Sequence, residues 1–347
     1  AQIDGAAKKW RFAILTKAGQ TRTVPQFVRT FRQERGVLPA IAWNGGYILN
    51  EELVGKLGLP ESYIGSSLGL IISEGEVLSP PLFNKPAFLV YADGRLDIQR
   101  VNCAGGLRIG DGRHQVNFSA TTRNLQRPLP DEACFYDLMH PEAAIPGNGR
   151  VVLRLAGNVI KEVIHTAANQ FVSIIPVGLT LSFPAKQFPS TWNQVDKTLR
   201  IEMLGWGAVT QAIEAGPLLV EGGKQAIAMD VEGWTRQNSI RTQAARMDYT
   251  NMRGPKIALG LDNGGNLSVL AINGRIRESV GATHSDMAKI LLDLGVQKGM
   301  GFDPGGSSSL VVGGRALNIS PYNADYEQDV YALPPQPRAV ASAVVVY

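Results

Sequence analysis

Cysteine is nearly missing: 347 residues contain only Cys103 and Cys134. One disulfide in an oxidising compartment and two buried thiols fit that count equally, and a disulfide-stapled scaffold is excluded. No Cys-x-x-Cys pair and no Cys/His spacing of the zinc-binding kind occurs. His114, His140, His165 and His284 show no close pairing that would grip a metal. Of these only His284, beside an expected helix start, is kept as a site candidate. No apolar run reaches the ~18 residues that a membrane-spanning helix needs. Charge is sparse, at 18 % of residues, and nearly balanced, 34 basic against 30 acidic, for a net +4. No cluster of five or more Lys/Arg stands out, so nucleic acid is not expected as a partner, whereas a small anionic ligand is compatible. The start, Ala1-Gln2-Ile3-Asp4, lacks the basic-then-apolar pattern of a leader, and a mature exported chain would begin in the same way.

What is abundant is punctuation. Thirty-eight glycines and 20 prolines divide the chain into short apolar runs. Residues Val37–Trp43, Leu68–Ile72, Ala87–Ala92, Val151–Leu155, Phe171–Val177, Ile213–Val220, Leu267–Ile272 and Ala339–Tyr347 read as strands, rich in Val, Ile and aromatics and bounded by turn formers. Glu74-Gly75, Asp93-Gly94, Asn263-Gly264 and Asn273-Gly274 supply tight-turn chemistry. Apolar residues at helical spacing mark Thr23–Gln33 and Ser285–Leu294, the second capped by Thr283 or Ser285 and stopped by Gly295. Some helix is also expected within Asn193–Ala212. The expected fold is α+β: a strand-rich mixed-sheet domain with a few packed helices. Residues 1–347 read as one domain, with the weakly periodic stretch 102–149 an insertion or lobe.

Four segments carry candidate chemistry. In Phe302-Asp303-Pro304-Gly305-Gly306-Ser307-Ser308-Ser309, paired glycines let successive N–H groups face one anion. The serines add donors there, and Asp303 is a potential acid, base or nucleophile. A Gly/Ser-rich turn capped by Asp303 accounts for the same residues. In Trp43-Asn44-Gly45-Gly46-Tyr47 an amide side chain at a strand end can read a sugar hydroxyl or a phosphate oxygen, and ordinary turn chemistry is the alternative. Glu214 is a lone charge in the apolar run leading to Gly216-Pro217, either functional or solvent-facing. Arg253 and Lys256 flank Gly254-Pro255 and can hold a phosphate, or be solvated loop charges. Asp262, Asn263 and Asn266 have cation-binding side chains, but a hairpin turn explains them more simply. Ser307 lacks the Gly-x-Ser-x-Gly setting of a hydrolase elbow.

The order of these segments is more specific than any one of them. Asn44-Gly-Gly-aromatic, Ala215-Gly-Pro-Leu-Leu-Val and Pro255-Lys-Ile-Ala-Leu-Gly with its hairpin come first. Gly281-Ala-Thr, a helix, Leu294-Gly-Val, Phe302-Asp-Pro-Gly-Gly-Ser-Ser, Asn318 and Arg338-Ala-Val follow. This series resembles the phosphodiester glycosidase family, strongly over 212–347 and more thinly over 37–97. The resemblance implies a mixed α/β domain with one surface cavity; no cofactor is expected, and a bound cation stays open. It also implies hydrolysis of a sugar-1-phosphodiester to free sugar and a phosphomonoester, on a small carbohydrate-phosphate or polysaccharide substrate outside the cytoplasm (secreted, periplasmic or at the cell envelope).

By motif, the resemblance carries Asp303, Gly305, Gly306, Ser307 and Asn44 into the site, with Asp303 the expected catalytic carboxylate. Glu214, where the family more often has a small residue, is a second candidate, and Lys256 and Arg253 are assigned to the phosphate. Asn44, Gly45, Gly46, Gly216, His284, Gly305, Gly306, Ser307 and Ser308 line the substrate. Where the family shows Pro-Arg-Thr-Ala-Ile-Gly this chain has Lys256 for Arg and Ile257 for Thr, and Pro304 replaces the first glycine after the Asp. Those departures leave room for an inactive envelope polysaccharide-binding or scaffold protein of the same fold. A glycosidase acting on ordinary glycosides is the third reading.

Overall fold

The computed structural model describes residues 1–4, 10–16, 20–240, 251–320 and 337–347. Among them three α-helices, α1 (Val24–Arg35), α2 (Glu51–Leu57) and α3 (His284–Asp293), accompany antiparallel sheets. The α+β expectation holds.

A six-stranded sheet runs in the order Gln2–Ile3, Leu267–Ile272, Lys256–Leu261, Lys298–Gly301, Leu218–Glu221, Lys224–Gln225. A five-stranded sheet runs Phe12–Thr16, Ser342–Val346, Ile41–Asn44, Leu310–Val312, Arg315–Ala316. Between these two sheets and part of an eight-stranded one lies a core that includes Trp43, Phe88, Ile213, Leu259, Met300 and Phe302. A second core, with Phe118, Phe135, Leu153, Phe183 and Trp192, joins the eight-stranded sheet to a four-stranded one. Strands Leu107–Gly110 and Gln115–Phe118, from within 102–149, form one edge of the eight-stranded sheet.

Local chemistry explains the helices. Thr23 closes a capping box with Gln26 at the start of α1, and left-handed Gly36 ends the helix. Its buried face, Val24, Phe27, Val28 and Phe31, covers Ala42, Val311, Ala343 and Val345 of the five-stranded sheet. Thr283 and Asp286 make the equivalent box for α3, which buries Met287, Ala288 and Leu291 on Leu219, Val220 and Ala258. Helix α2, capped by Asn50, lies in a segment with no helical signal noted in the sequence.

Two expectations change. The helix within Asn193–Ala212 is instead the strands Arg200–Met203 and Val209–Glu214, because Leu199, Ile201 and Met203 alternate inward, a period of two. The single run Ile213–Val220 is two strands, Val209–Glu214 and Leu218–Glu221, which belong to different sheets and are parted at Ala215-Gly216-Pro217. Cys103 and Cys134 are both buried free thiols, the Cys103 thiol donating to the Pro81 carbonyl at 3.1 Å.

Candidate active site

The Asp303 loop is where the chain changes sheets. It leaves the six-stranded sheet at Gly301 and enters the five-stranded one at Leu310, paired with Trp43. Phe302 anchors its start: the ring is fully buried and meets Trp43 edge-on at 6.1 Å. Two asparagines fix the rest. Asn44 Nδ2 donates to the Asp303 carbonyl at 2.9 Å and the Gly45 carbonyl at 3.2 Å, while Oδ1 accepts from Ser309 N at 2.9 Å. Asn318 accepts from Leu310 N at 2.6 Å and donates to the Ser308 carbonyl at 2.8 Å. The Asn44 amide is thus engaged with the loop itself. Replacing Asn44 by Ala should cost about 3 kcal/mol, because three bonds go and buried backbone groups are stranded; thermal denaturation measures this.

Within the loop the backbone turns at Gly305, whose φ of +67° is left-handed. Gly305 N donates to the Pro255 carbonyl at 2.9 Å, and Ser308 N to the Gly305 carbonyl at 3.0 Å. The first bond brings the loop onto the residues before strand Lys256–Leu261. Pro304 offers no N–H, and those of Gly305, Ser308 and Ser309 are engaged within the protein, so any cradle is limited to Gly306 and Ser307.

A cationic pair stands over this turn. Lys256 is buried, and its Nζ donates to the Met252 carbonyl at 3.2 Å. Arg275 is half-buried; a Cβ at Gly305 would lie 3.2 Å from its Nη1, and one at Gly254 3.6 Å from its Nε and 3.9 Å from Lys256 Nζ. Burial, and secondarily the Arg275 charge, lower the Lys256 pKa to about 8. His284, the first residue of α3, is buried beside them; burial and then the Lys256 charge depress its pKa to about 3, so it is neutral near pH 7. Arg253 is turned the other way. It pairs with Asp286 at 2.9 Å and donates to the Gly281 carbonyl.

Asp303 is half-buried, and burial raises its carboxyl to about pH 6 against the Ser307 hydroxyl bond and the positive charge of Arg338. Ser307, Ser308 and Ser309 are buried, and the Ser308 and Ser309 hydroxyls have no hydrogen-bond partner among the described residues. The loop therefore carries a recessed carboxyl, whose facing charge is Arg338, and at Gly305 it meets Arg275 of the Lys–Arg pair. A Lys–Arg pair against a Gly/Ser turn has the chemistry to hold an anion, and a recessed carboxyl that of an acid, base or nucleophile.

Gly45, Gly46 and Gly216 form the neighbouring wall. Asp303 N donates to the Gly45 carbonyl at 3.3 Å. A Cβ at Gly46 would lie 2.2 Å from the Glu214 carbonyl oxygen, and Gly216 N donates to the Gly301 carbonyl at 2.9 Å. Glu214 is buried, so the solvent-facing alternative is excluded. Its Oε2 accepts from Leu70 N at 2.9 Å, and burial raises its pKa, with Lys85 opposing.

Ile257 packs in the core with Phe302, on a strand where Lys256 is the preceding residue, so its side chain belongs to the interior. Asp262 closes its hairpin by accepting from Gly264 N, Asn266 N and Asn266 Nδ2. Among the described residues no group of three His, Cys, Asp or Glu stands close enough to hold a metal. A groove of about 730 Å³ lies elsewhere, along Glu76, Arg108, Glu202 and Trp206, and includes none of the residues around Asp303.

Arg275, Arg338 and Lys85 were not singled out in the sequence. Arg275 follows Asn273-Gly274, which reads as a plain turn, and Arg338 entered only as part of a closing strand.

This α+β architecture recurs in solved structures. A hypothetical protein from Synechocystis aligns with 99 % of the chain at 19 % identity and a TM-score of 0.57. A candidate exported protein from Burkholderia pseudomallei aligns with 99 % of it at 19 % identity and 0.58, over 72 % of that protein. The zebrafish N-acetylglucosamine-1-phosphodiester α-N-acetylglucosaminidase catalytic domain, auto-inhibited by its pro-peptide, aligns with 97 % of the chain and 72 % of its own length, at 14 % identity and 0.49. The chain spans only 58 % of the Synechocystis protein. No curated protein matches the sequence. The family model for phosphodiester glycosidase matches residues 141–347, more than half of the chain. The chain belongs to the phosphodiester glycosidase family, as its ordered motifs imply.

Proposed function

We propose that the protein hydrolyses a sugar-1-phosphodiester at the anomeric carbon, giving free sugar and a phosphomonoester. The observation that supports this reading is that one Gly/Ser loop carries the Asp303 carboxyl and meets the Lys256–Arg275 pair at Gly305. In the reaction the C1–O bond to phosphate breaks and its electrons leave with the phosphomonoester, while water oxygen ends on C1. The Lys256 ammonium and Arg275 guanidinium stabilise the phosphate as charge develops on its bridging oxygen. Ionised Asp303 takes the proton of the attacking water or attacks C1 itself, and Ser307 holds its carboxylate in place. His284, neutral, serves as a hydrogen-bonding group beside Lys256. Arg253, paired with Asp286, orders the entry to α3 and supports the cationic wall from outside.

The departures from the family pattern are compatible with catalysis. Lys256 keeps the charge, Arg275 adds a planar guanidinium beside it, and the Ile257 methyls serve the core. This weakens the case for a non-catalytic polysaccharide-binding protein. Incubation with a panel of glycosyl-1-phosphodiesters tests the reading: release of reducing sugar supports it, and saturable binding without release overturns it. Ordinary glycosides are expected to be poor substrates, since they offer nothing to the Lys–Arg pair. A secreted or cell-envelope location accompanies this reading, and cell fractionation checks it.

The pH profile follows from the same groups. Activity requires Asp303 ionised and Lys256 protonated. It should fall as pH drops through about 6 and again as pH rises through about 8, giving a bell-shaped kcat/KM. Asp303→Asn should remove the acidic limb from any residual rate. Stability runs the other way for Asp303. Its proton is held more tightly in the folded than in the unfolded chain, so its contribution declines as pH rises from the ordinary carboxylate range through about 6.

A further inference from the structure

Behind the Gly45–Gly46 and Gly216 wall lies a second charged cluster. Lys85 is only 5 % exposed. Its Nζ stands 3.9 Å from the centre of the Trp234 ring, 4.4 Å from that of Phe83 and 5.4 Å from that of Tyr47, a three-sided aromatic cage. Two buried carboxylates act on it, Glu214 and Glu232. A cation in this position is costly unless paired, and so are the two acids. Glu232, fully buried, accepts from Leu218 N at 2.8 Å and Trp234 Nε1 at 2.7 Å, with Arg100 at 3.5 Å.

Each member also holds a piece of the Asp303 site. Tyr47, a cage wall, belongs to the Asn44-Gly45-Gly46-Tyr47 segment and donates its hydroxyl to the Gly216 carbonyl at 3.0 Å. Gly216 N bonds the Gly301 carbonyl, two residues before Asp303, and Gly301 N bonds the Pro217 carbonyl at 2.9 Å. Glu214 presses its carbonyl on Gly46 while its carboxylate holds Leu70 N. Glu232 fixes Leu218, just past Gly216-Pro217.

We propose that Lys85 is a positioning residue: caged by Tyr47, Phe83 and Trp234, its ammonium balances Glu214 and shares Glu232 with Arg100, and thereby holds the two backbone walls that place Asp303. This rests on the reading of the Asp303 loop as the active site. The other charged or titratable groups facing the cluster are Asp137 toward Glu214, and Arg100 toward Glu232. Arg123 is paired with Asp137, and the Cys103 thiol is held neutral by burial. Arg100 remains as a counterion to Glu232, whereas Lys85 is the one cation acting on Glu214 among the described residues.

The test compares Lys85→Met with Lys85→Arg. Lys85→Met should lower kcat by about 10²-fold, the scale of a small misplacement of catalytic groups, with KM little changed. The deficit should shrink toward pH 5, where both glutamates are protonated in either protein, and grow toward pH 8, where the wild type ionises them against Lys85 and the variant, lacking that cation, holds Glu214 protonated. Lys85→Arg, which keeps charge and ring contact, should restore most of the rate. A loss equal in both variants and flat with pH would make Lys85 a space-filler and overturn the proposal.

Hydrogen exchange separates this from the function itself. Peptides containing Gly45–Tyr47 and Gly216–Leu218 should exchange faster in Lys85→Met but not in Lys85→Arg. Unchanged exchange sinks the positioning role whether or not the wild type turns over a sugar phosphodiester. Conversely, an inactive wild type whose Lys85→Met variant shows the expected exchange sinks only the function. Should Lys85→Met fail to fold, Lys85→Met/Glu214→Gln/Glu232→Gln is measured in its place. It should fold and exchange independently of pH; a triple variant equally unfolded would overturn the proposal.

Discussion

Asp303→Asn is expected to lower kcat on a glycosyl-1-phosphodiester by about 10³-fold or more, the range seen when a catalytic carboxylate is removed, while KM changes little. The argument is geometric first. Asp303 is the carboxyl on the turn that Lys256 and Arg275 overlook, and its backbone is pinned by Asn44 and Gly45. Asn preserves those backbone contacts and the side chain's shape and can still meet Ser307, but it cannot accept a proton or form a glycosyl ester. Burial makes the ionised acid costly in this place. The amide should therefore leave the melting temperature equal to or above that of the wild type near pH 7. A folded Asp303→Asn protein with the wild-type rate would remove the residue from the mechanism.

The second large effect is expected for Arg275→Ala, a loss of about 10²- to 10³-fold in kcat/KM, the scale of removing one preorganised donor from a developing anion. Arg275 reaches the site because Gly274 and Pro255 approach closely: a Cβ at Gly274 would lie 2.4 Å from Pro255 N. Its own φ is +56°, an uncommon value for a residue other than glycine. Two further consequences follow. Free inorganic phosphate should inhibit the wild type competitively and the variant more weakly. Removal of Arg275 also removes the charge that depresses Lys256, so the basic limb of the pH profile should move upward. Arg253→Ala, by contrast, should change kcat/KM far less, since that side chain is committed to Asp286 and Gly281.

Much of this was legible in the sequence wherever a local period or a turn residue decided the outcome. Leu267–Ile272 is a strand with the expected bounds, and α1 and α3 fall where apolar spacing and caps place them. The Asp303 loop was visible because glycine, serine and a lone acid stand together between apolar runs. What stayed hidden depends on contacts between distant segments. Arg275 looks like any residue after a turn until residues 254–255 and 305 are brought against it. Lys85 and Glu232 are solitary charges in unremarked stretches, and only the three-sheet core brings them to Glu214. The Ile213–Val220 run conceals a change of sheet at Gly216-Pro217, because an apolar run carries no mark of which sheet each half joins. Asn44 shows the same limit from the other side: its amide chemistry was legible, but its hydrogen bonds serve the Asp303 loop.

The central claim is that water ends on the anomeric carbon and phosphate departs with its oxygens intact. Hydrolysis of a glycosyl-1-phosphodiester in ¹⁸O-enriched water, with both products examined by mass spectrometry, tests this most directly. The label is expected in the hemiacetal oxygen of the sugar, trapped before it exchanges with solvent, and none in the phosphomonoester. Label in the phosphomonoester would mean cleavage at phosphorus and would contradict the account.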